Sequence, residues 1–115
     1  GRVMAYGTMG GDGQPQTQAM LFARHVLFGQ PLDKAIDAPR WLLGRTWGSP
    51  HTNLRLESRF DGHLVDRLMD AAHDVDVLPE PYSDTMGHAG AVVMHPDRSF
   101  EGAHDPRADS GAFGV

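Results

Sequence analysis

Apolar positions along this chain switch between a period of two and a period near 3.6, and the switches mark its elements. Arg2-Val3-Met4-Ala5-Tyr6 reads as a strand that runs through Gly7-Thr8-Met9 into the glycine pair Gly10-Gly11. From about Pro15 to Phe28 the pattern turns helical: proline suits the first position, Gly29 suits a left-handed stop and Pro31 bars continuation. Met20, Leu21, Phe22, Ala23, Val26, Leu27 and Phe28 cover most of its circumference, leaving Gln18, Arg24 and His25 as a polar strip. Such a helix is expected to lie sandwiched between layers.

A shorter helix is predicted over Leu32 to Ile36, limited by Pro39, and a brief strand over Trp41-Leu42-Leu43 before a long loop containing Trp47-Gly48-Ser49-Pro50. Leu54 and Leu56 alternate with Arg55 and Glu57, the pattern of a half-buried strand. Asp61 suits the N-cap of a third helix, on which Leu64, Leu68 and Ala71 form a stripe widened by Val65 and Met69. Val75 and Val77 make a strand that stops at Pro79, and Pro79-Glu80-Pro81-Tyr82 continues as an extended connector. A hairpin closes the pattern: strand Ala89 to Met94, turn His95 to Arg98, return Ser99 to Glu101. Strands and helices mixed in this way predict an α+β fold.

Composition narrows the classes of function. The 115 residues are 40% hydrophobic, enough for one domain with a core. Ten basic against fifteen acidic residues give a net charge of −5, and Lys34 is the only lysine, so no basic patch interleaved with aromatics marks nucleic acid as a partner. Without cysteine there is neither a disulfide framework nor a thiol nucleophile. No apolar run approaches the ~20 residues of a membrane span, and no signal segment opens the chain. Because the first strand begins without a turn or cap, Gly1 is expected to be an internal point of a longer polypeptide.

The chemistry concentrates at Gly10 and Gly11. Glycines between a strand and a helix let successive backbone N–H groups face one point, and the helix start adds unsatisfied N–H groups and positive dipole. A phosphate, a carboxylate or the oxyanion of an acyl transfer could sit in such a cradle; a glycine turn that merely packs strand on helix is the plainer alternative. Phosphate is disfavoured, since Gly13 is followed by Gln14 and Pro15 where a P-loop needs lysine, and Gly7, Gly10, Gly11 and Gly13 do not fit the dinucleotide fingerprint.

Other candidates yield less. The seven histidines form no H-x-H, H-x-x-H or H-x-x-x-H pair, so no metal is expected. Asp74 and Asp76 alternate with valines and read as the solvated face of a strand rather than an acid–base pair. Trp41 and Trp47 read as core and loop anchors. Asp105-Pro106-Arg107 either closes a turn by an ion pair or presents Arg107 to a ligand carboxylate.

Five segments taken in order, Gly7-Thr8-Met9-Gly10-Gly11, Ala35-Ile36-Asp37-Ala38-Pro39-Arg40, Leu54-Arg55-Leu56-Glu57, Met86-Gly87-His88-Ala89 and Gly102-Ala103-His104-Asp105-Pro106-Arg107, resemble the C-terminal part of the small subunit in the gamma-glutamyltranspeptidase family. The resemblance implies that residues 1–115 form the C-terminal portion of an Ntn-hydrolase domain, a four-layer α-β-β-α sandwich made from a self-cleaving precursor. It implies an N-terminal threonine, upstream of this chain, that attacks a gamma-glutamyl amide and passes the acyl group to water or an amino acceptor. Gly10 and Gly11 would supply the oxyanion N–H groups, with no cofactor. The partners so implied are the rest of the small subunit and the large subunit, and this chain alone would be inactive. The compartment implied is periplasmic or extracellular for a typical secreted bacterial member, and cytoplasmic otherwise.

The chain departs from the family pattern around the cradle, with Thr8-Met9 before the glycine pair and Asp12-Gly13-Gln14-Pro15 after it. Ala72-His73 stands where Gly-His is common at the end of the third helix, and Arg98 stands where glycine is usual in the hairpin turn. Both positions are expected to carry modest strain. Two rival readings remain beside the gamma-glutamyl one: a related acylase acting on another side-chain amide, and a noncatalytic module whose cradle holds a carboxylate.

Overall fold

In a computed structural model that describes residues 1–46 and 49–114, two three-stranded sheets and three helices carry the chain, an α+β arrangement. Trp47 and Gly48 of the expected loop lie outside the described residues. The first sheet has β1 (Val3–Thr8) beside β5 (Ala89–Met94) beside β6 (Phe100–His104), all antiparallel, with Val3 opposite Met94 and Gly90 opposite His104. Alternation decides its faces. Ala89, Ala91 and Val93 of β5 point inward and are buried, while Gly90 and Val92 are exposed. Two helices, α1 (Gln14–Phe22) and α2 (Leu32–Asp37), cover the inner face, where Leu21, Leu32 and Ile36 pack with Ala89, Ala91, Val93 and Ala103.

The first helix departs from expectation at its end. Its last turn, Ala23–Leu27, is a wider π turn in which the Phe28 N–H reaches the Ala23 carbonyl five residues back at 2.9 Å. There the polar strip turns inward: His25 is buried with Nδ1 2.8 Å from the Gln30 carbonyl, and Arg24 donates to the Pro39 carbonyl at 2.6 Å. Phe22, Val26, Leu27 and Phe28 are exposed instead, so the described residues supply one layer against this helix and not the two its composition suggests. Imidazole and guanidinium face inward because carbonyl acceptors await them there.

The second sheet is mixed. Strand β2 (Trp41–Leu43) pairs antiparallel with β3 (Leu54–Leu56), which pairs parallel with β4 (Val75–Val77). The parallel pairing requires a crossover, and α3 (Gly62–Asp70) provides it. Asp61 caps α3 as the sequence predicts, its Oδ1 accepting from the His63 N–H at 2.8 Å. No residue of α3 is buried, so its apolar stripe stays partly open. Asp74 and Asp76 are exposed, as a solvated strand face requires. Arg55 and Glu57 are buried as well as Leu56, so the polar positions of β3 and its edge face no solvent. The hairpin's return strand runs on to His104, beyond the expected Glu101.

Across the two sheets, Gln16 of α1 serves as a strand substitute. Its amide Nε2 donates to the Leu43 carbonyl and its Oε1 accepts from the Leu43 N–H, both at 2.8 Å, satisfying an edge position of β2. Among the described residues no helix is long and apolar enough to cross a membrane.

Candidate functional site

At the end of β1 the chain turns through Gly10 at φ 137° and Gly11 at φ 56° into a short 3₁₀ turn, Gly11–Gly13, that leads straight into α1. Only residues without Cβ reach both conformations freely, which is why the strand-to-helix passage is this tight. The Gly13 N–H bonds back to the Gly10 carbonyl at 3.0 Å and the Met9 N–H donates to the His88 carbonyl at 3.0 Å. Among the described residues, the N–H groups of Gly10 and Gly11 between them have no protein acceptor. Gly11 is exposed and Gly10 half-buried. Two free N–H groups at a helix start are the elements of an anion site.

Behind the turn runs the segment Met86-Gly87-His88. A Cβ on Gly10 would stand 3.3 Å from the Gly87 Cα, and one on Gly87, at φ 76°, would collide with the Met9 carbonyl oxygen and lie 2.8 Å from Thr8 Oγ1. Backbone therefore rests on backbone here. Thr17 Oγ1 donates to the Met86 carbonyl at 3.1 Å, and Arg40 Nη1 donates to the Met86 and Gly87 carbonyls at 3.3 and 2.9 Å.

Arg40 belongs to a buried chain of charges. Its Nη1 lies 2.7 Å from Asp105, Asp105 pairs with Arg107 at 3.0 Å, and Arg107 grips Glu57 through Nε at 2.7 Å and through Nη2. All four side chains in these three links are fully shielded from solvent. Backbone groups reinforce the arrangement: Asp105 accepts from the Ala89 N–H at 2.7 Å, Glu57 accepts from the Arg40 and Ser83 N–H groups at 2.8 Å, and Arg107 donates to the Ile36 and Ala38 carbonyls, while Arg40 Nε is buried without a partner. Two positive and two negative groups balance, the condition under which buried charge is tolerated.

The environment moves their affinities for protons. Burial works to raise the Asp105 carboxyl, but the Ala89 and Arg107 N–H groups and the Arg40 charge outweigh it and hold the group below the usual carboxylate range. Burial also depresses the Arg40 guanidinium, with Arg107 beside it adding to the effect. For Arg107 burial is overcome by its bonds to Glu57, and the net direction is upward.

The sequence left Asp105-Pro106-Arg107 open between an ion pair and a ligand contact, and the ion pair is what the chain adopts. Gly87, Arg40 and Glu57 escape a local reading, although each lies in one of the five segments that carry the family resemblance. The available signal was a charged residue abutting a short apolar strand, as Arg40 precedes Trp41 and Glu57 follows Leu56. Among the described residues no group of three or more His, Cys, Asp or Glu side chains could hold a metal ion.

Known proteins share this architecture. Residues 1–115 match the family model described as Gamma-glutamyltranspeptidase. The chain is 57% identical to the oxamate amidohydrolase proenzyme of Klebsiella pneumoniae, over 99% of its own length and 21% of that protein's. It is 41% identical to the glutathione hydrolase-like YwrD proenzyme of Bacillus subtilis, over 96% of its own length and again 21% of that protein's. The chain thus spans about a fifth of the length of the curated relatives it matches. Its fold superposes on the gamma-glutamyltranspeptidase from Pseudomonas nitroreducens complexed with L-DON with a TM-score of 0.79 at 21% identity, covering 97% of this chain and 55% of that one. A match across the whole sequence and an identity of 57% to an amidohydrolase proenzyme, on the same Ntn-hydrolase fold, establish that the chain belongs to the gamma-glutamyltranspeptidase family.

Proposed function

We propose that this chain is part of a self-processing amidohydrolase in which Gly10 and Gly11 stabilise the oxyanion of the tetrahedral intermediate. The supporting observation is the pair of unengaged N–H groups at the strand-to-helix turn. In this reading a threonine at the new N-terminus of the small subunit, supplied by another part of the precursor, adds its Oγ to the substrate amide carbonyl. Its own amino group takes the hydroxyl proton and delivers it to the leaving amine. Negative charge then develops on the carbonyl oxygen, and donors fixed before the reaction stabilise it without reorganising. Water releases the acyl group and regenerates the threonine.

For the substrate, the higher identity to an oxamate amidohydrolase proenzyme favours a small carboxylate-bearing amide of the oxamate type over a gamma-glutamyl amide. The gamma-glutamyl reading is the second one, supported by the family as a whole and by the glutathione hydrolase-like relative. The test uses the full-length gene product. Mass measurement should find two chains with threonine at the new N-terminus, and ammonia release from oxamate should exceed anilide release from a chromogenic gamma-glutamyl anilide. A β-branched residue cannot hold φ 56°, so Gly11→Val should turn its N–H away and lower kcat by at least the ~10²-fold typical of one lost oxyanion donor. Expressing the two subunits as separate chains removes self-cleavage from the comparison. Unchanged turnover by folded Gly11→Val would refute the oxyanion assignment, and an unprocessed, inactive full-length protein would favour a noncatalytic carboxylate-binding module.

A further inference from the structure

We propose that Arg40 is a positioning residue for the oxyanion turn, fixing Gly10 through the backbone of Gly87; this rests on the assignment of Gly10 and Gly11 made above. The Gly10 backbone meets Gly87 with no side chain between them: a Cβ on Gly10 would stand 3.3 Å from the Gly87 Cα, and one on Gly87 would collide with the carbonyl oxygen of Met9, the residue bonded to Gly10. Where Gly87 goes, Gly10 must follow. Gly87 is in turn held by its own carbonyl, which accepts from Arg40 Nη1 at 2.9 Å, and by the preceding Met86 carbonyl, which accepts from Arg40 and from Thr17.

Arg40 cannot drift, because Asp105 takes Nη1 at 2.7 Å and the Ile36 carbonyl takes Nη2 at 3.1 Å. A buried ion pair is weak evidence of a purely stabilising role, since well-packed apolar residues often serve as well. Here Nη1 is turned onto the Met86 and Gly87 carbonyls while Nη2 is anchored on the Ile36 carbonyl. Serving those carbonyls from one nitrogen while a second holds the Ile36 carbonyl calls for two nitrogens in fixed planar geometry, which arginine has and lysine lacks.

The consequence is kinetic. An oxyanion donor displaced by tenths of an ångström loses most where charge develops, in the transition state, and little in the ground state. Arg40→Lys, which keeps the charge but serves fewer acceptors, should therefore lower kcat about tenfold or more, short of the ~10²–10³-fold of losing a donor outright, with KM nearly unchanged. Thr17→Val removes one bond to the same Met86 carbonyl and keeps the side-chain shape. It should lower kcat a few-fold, and the double variant should lose less than the product of the two because both act on one segment.

The experiment measures kcat, KM and thermal midpoint for Arg40→Lys, Thr17→Val, their combination and Gly11→Val, all in the full-length protein with kcat normalised to its processed fraction. A fall in kcat at constant KM, out of proportion to any loss of thermal midpoint, supports the proposal. Wild-type kcat in folded Arg40→Lys, or a loss that tracks midpoint and KM alike, overturns it. If Arg40→Lys does not fold, Thr17→Val decides, and wild-type kcat there overturns the proposal. Normal turnover by Gly11→Val would instead bring down the oxyanion reading itself, whereas slow Gly11→Val beside normal Arg40→Lys and Thr17→Val would leave that reading standing and remove only the positioning role.

Discussion

Ala72 and Arg98 hold the left-handed region at φ 64° and 67°, where a Cβ is crowded by the backbone. At Ala72 the reason is visible: the His73 N–H reaches the Leu68 carbonyl at 3.1 Å and the Ala72 N–H reaches Met69 at 2.9 Å, the paired bonds of a Schellman stop. Both positions could be read from sequence, because a helix stop and a four-residue turn impose their dihedrals locally. Ala72 is exposed and its methyl packs little. Ala72→Gly should remove strain of about 1–2 kcal/mol against an entropic cost of about 0.5–1 kcal/mol, a net gain of at most about 1.5 kcal/mol. A higher urea midpoint at unchanged slope would be the sign of it, and a lower midpoint would show that the turn is relaxed. By contrast Glu57 looks, in sequence, like one more polar position on an alternating strand. Its true partner, Arg107, lies fifty residues away, a distance over which no local period carries information.

Between elements, Asp105 fastens the end of β6 to the first N–H of β5 and to the arginine that precedes β2. Replacing it by asparagine would leave the Arg40 guanidinium without a carboxylate partner and Arg107 with Glu57 alone, and breaking a buried pair in this way costs about 3–5 kcal/mol. Because the native carboxyl is held below its ordinary value, the stability it contributes is complete above the unfolded value of about 3.9 and is lost as pH falls through the lower native one. Asp105→Asn should therefore be much less stable at pH 7 and show a shallower loss as pH falls below about 3.9. Denaturant midpoints across that range measure it, and parallel acid limbs for the two proteins would contradict the linkage. The elements themselves were legible, since glycine, proline and Asp61 punctuate each of them. The π turn was not: its wider ring follows from the carbonyls that Arg24 and His25 find, and those belong to the fold.

At the scale of the molecule, two surfaces are more apolar than water favours. One is the outer side of the π turn that ends the first helix, with Phe28 77% and Leu27 66% exposed; the other is the outer face of the first sheet, with Phe100 71% and Val3 59% exposed. Alone, the 115-residue chain should self-associate and bind a hydrophobic dye, and a monodisperse monomer that leaves the dye dark would contradict this. The α+β class was legible from the alternation of periods, but the pairing of strands was not, because β1 meets β5 across eighty residues of intervening chain. The two sheets could in principle melt apart, each with its own helices. The four buried charges make that costly. Arg40 and Glu57 sit at the ends of the second sheet and Asp105 and Arg107 just past the end of the first, so opening either one strands unpaired charge in the other. Through that junction the two halves are coupled thermodynamically, so the two sheets are expected to open together although each has only three strands.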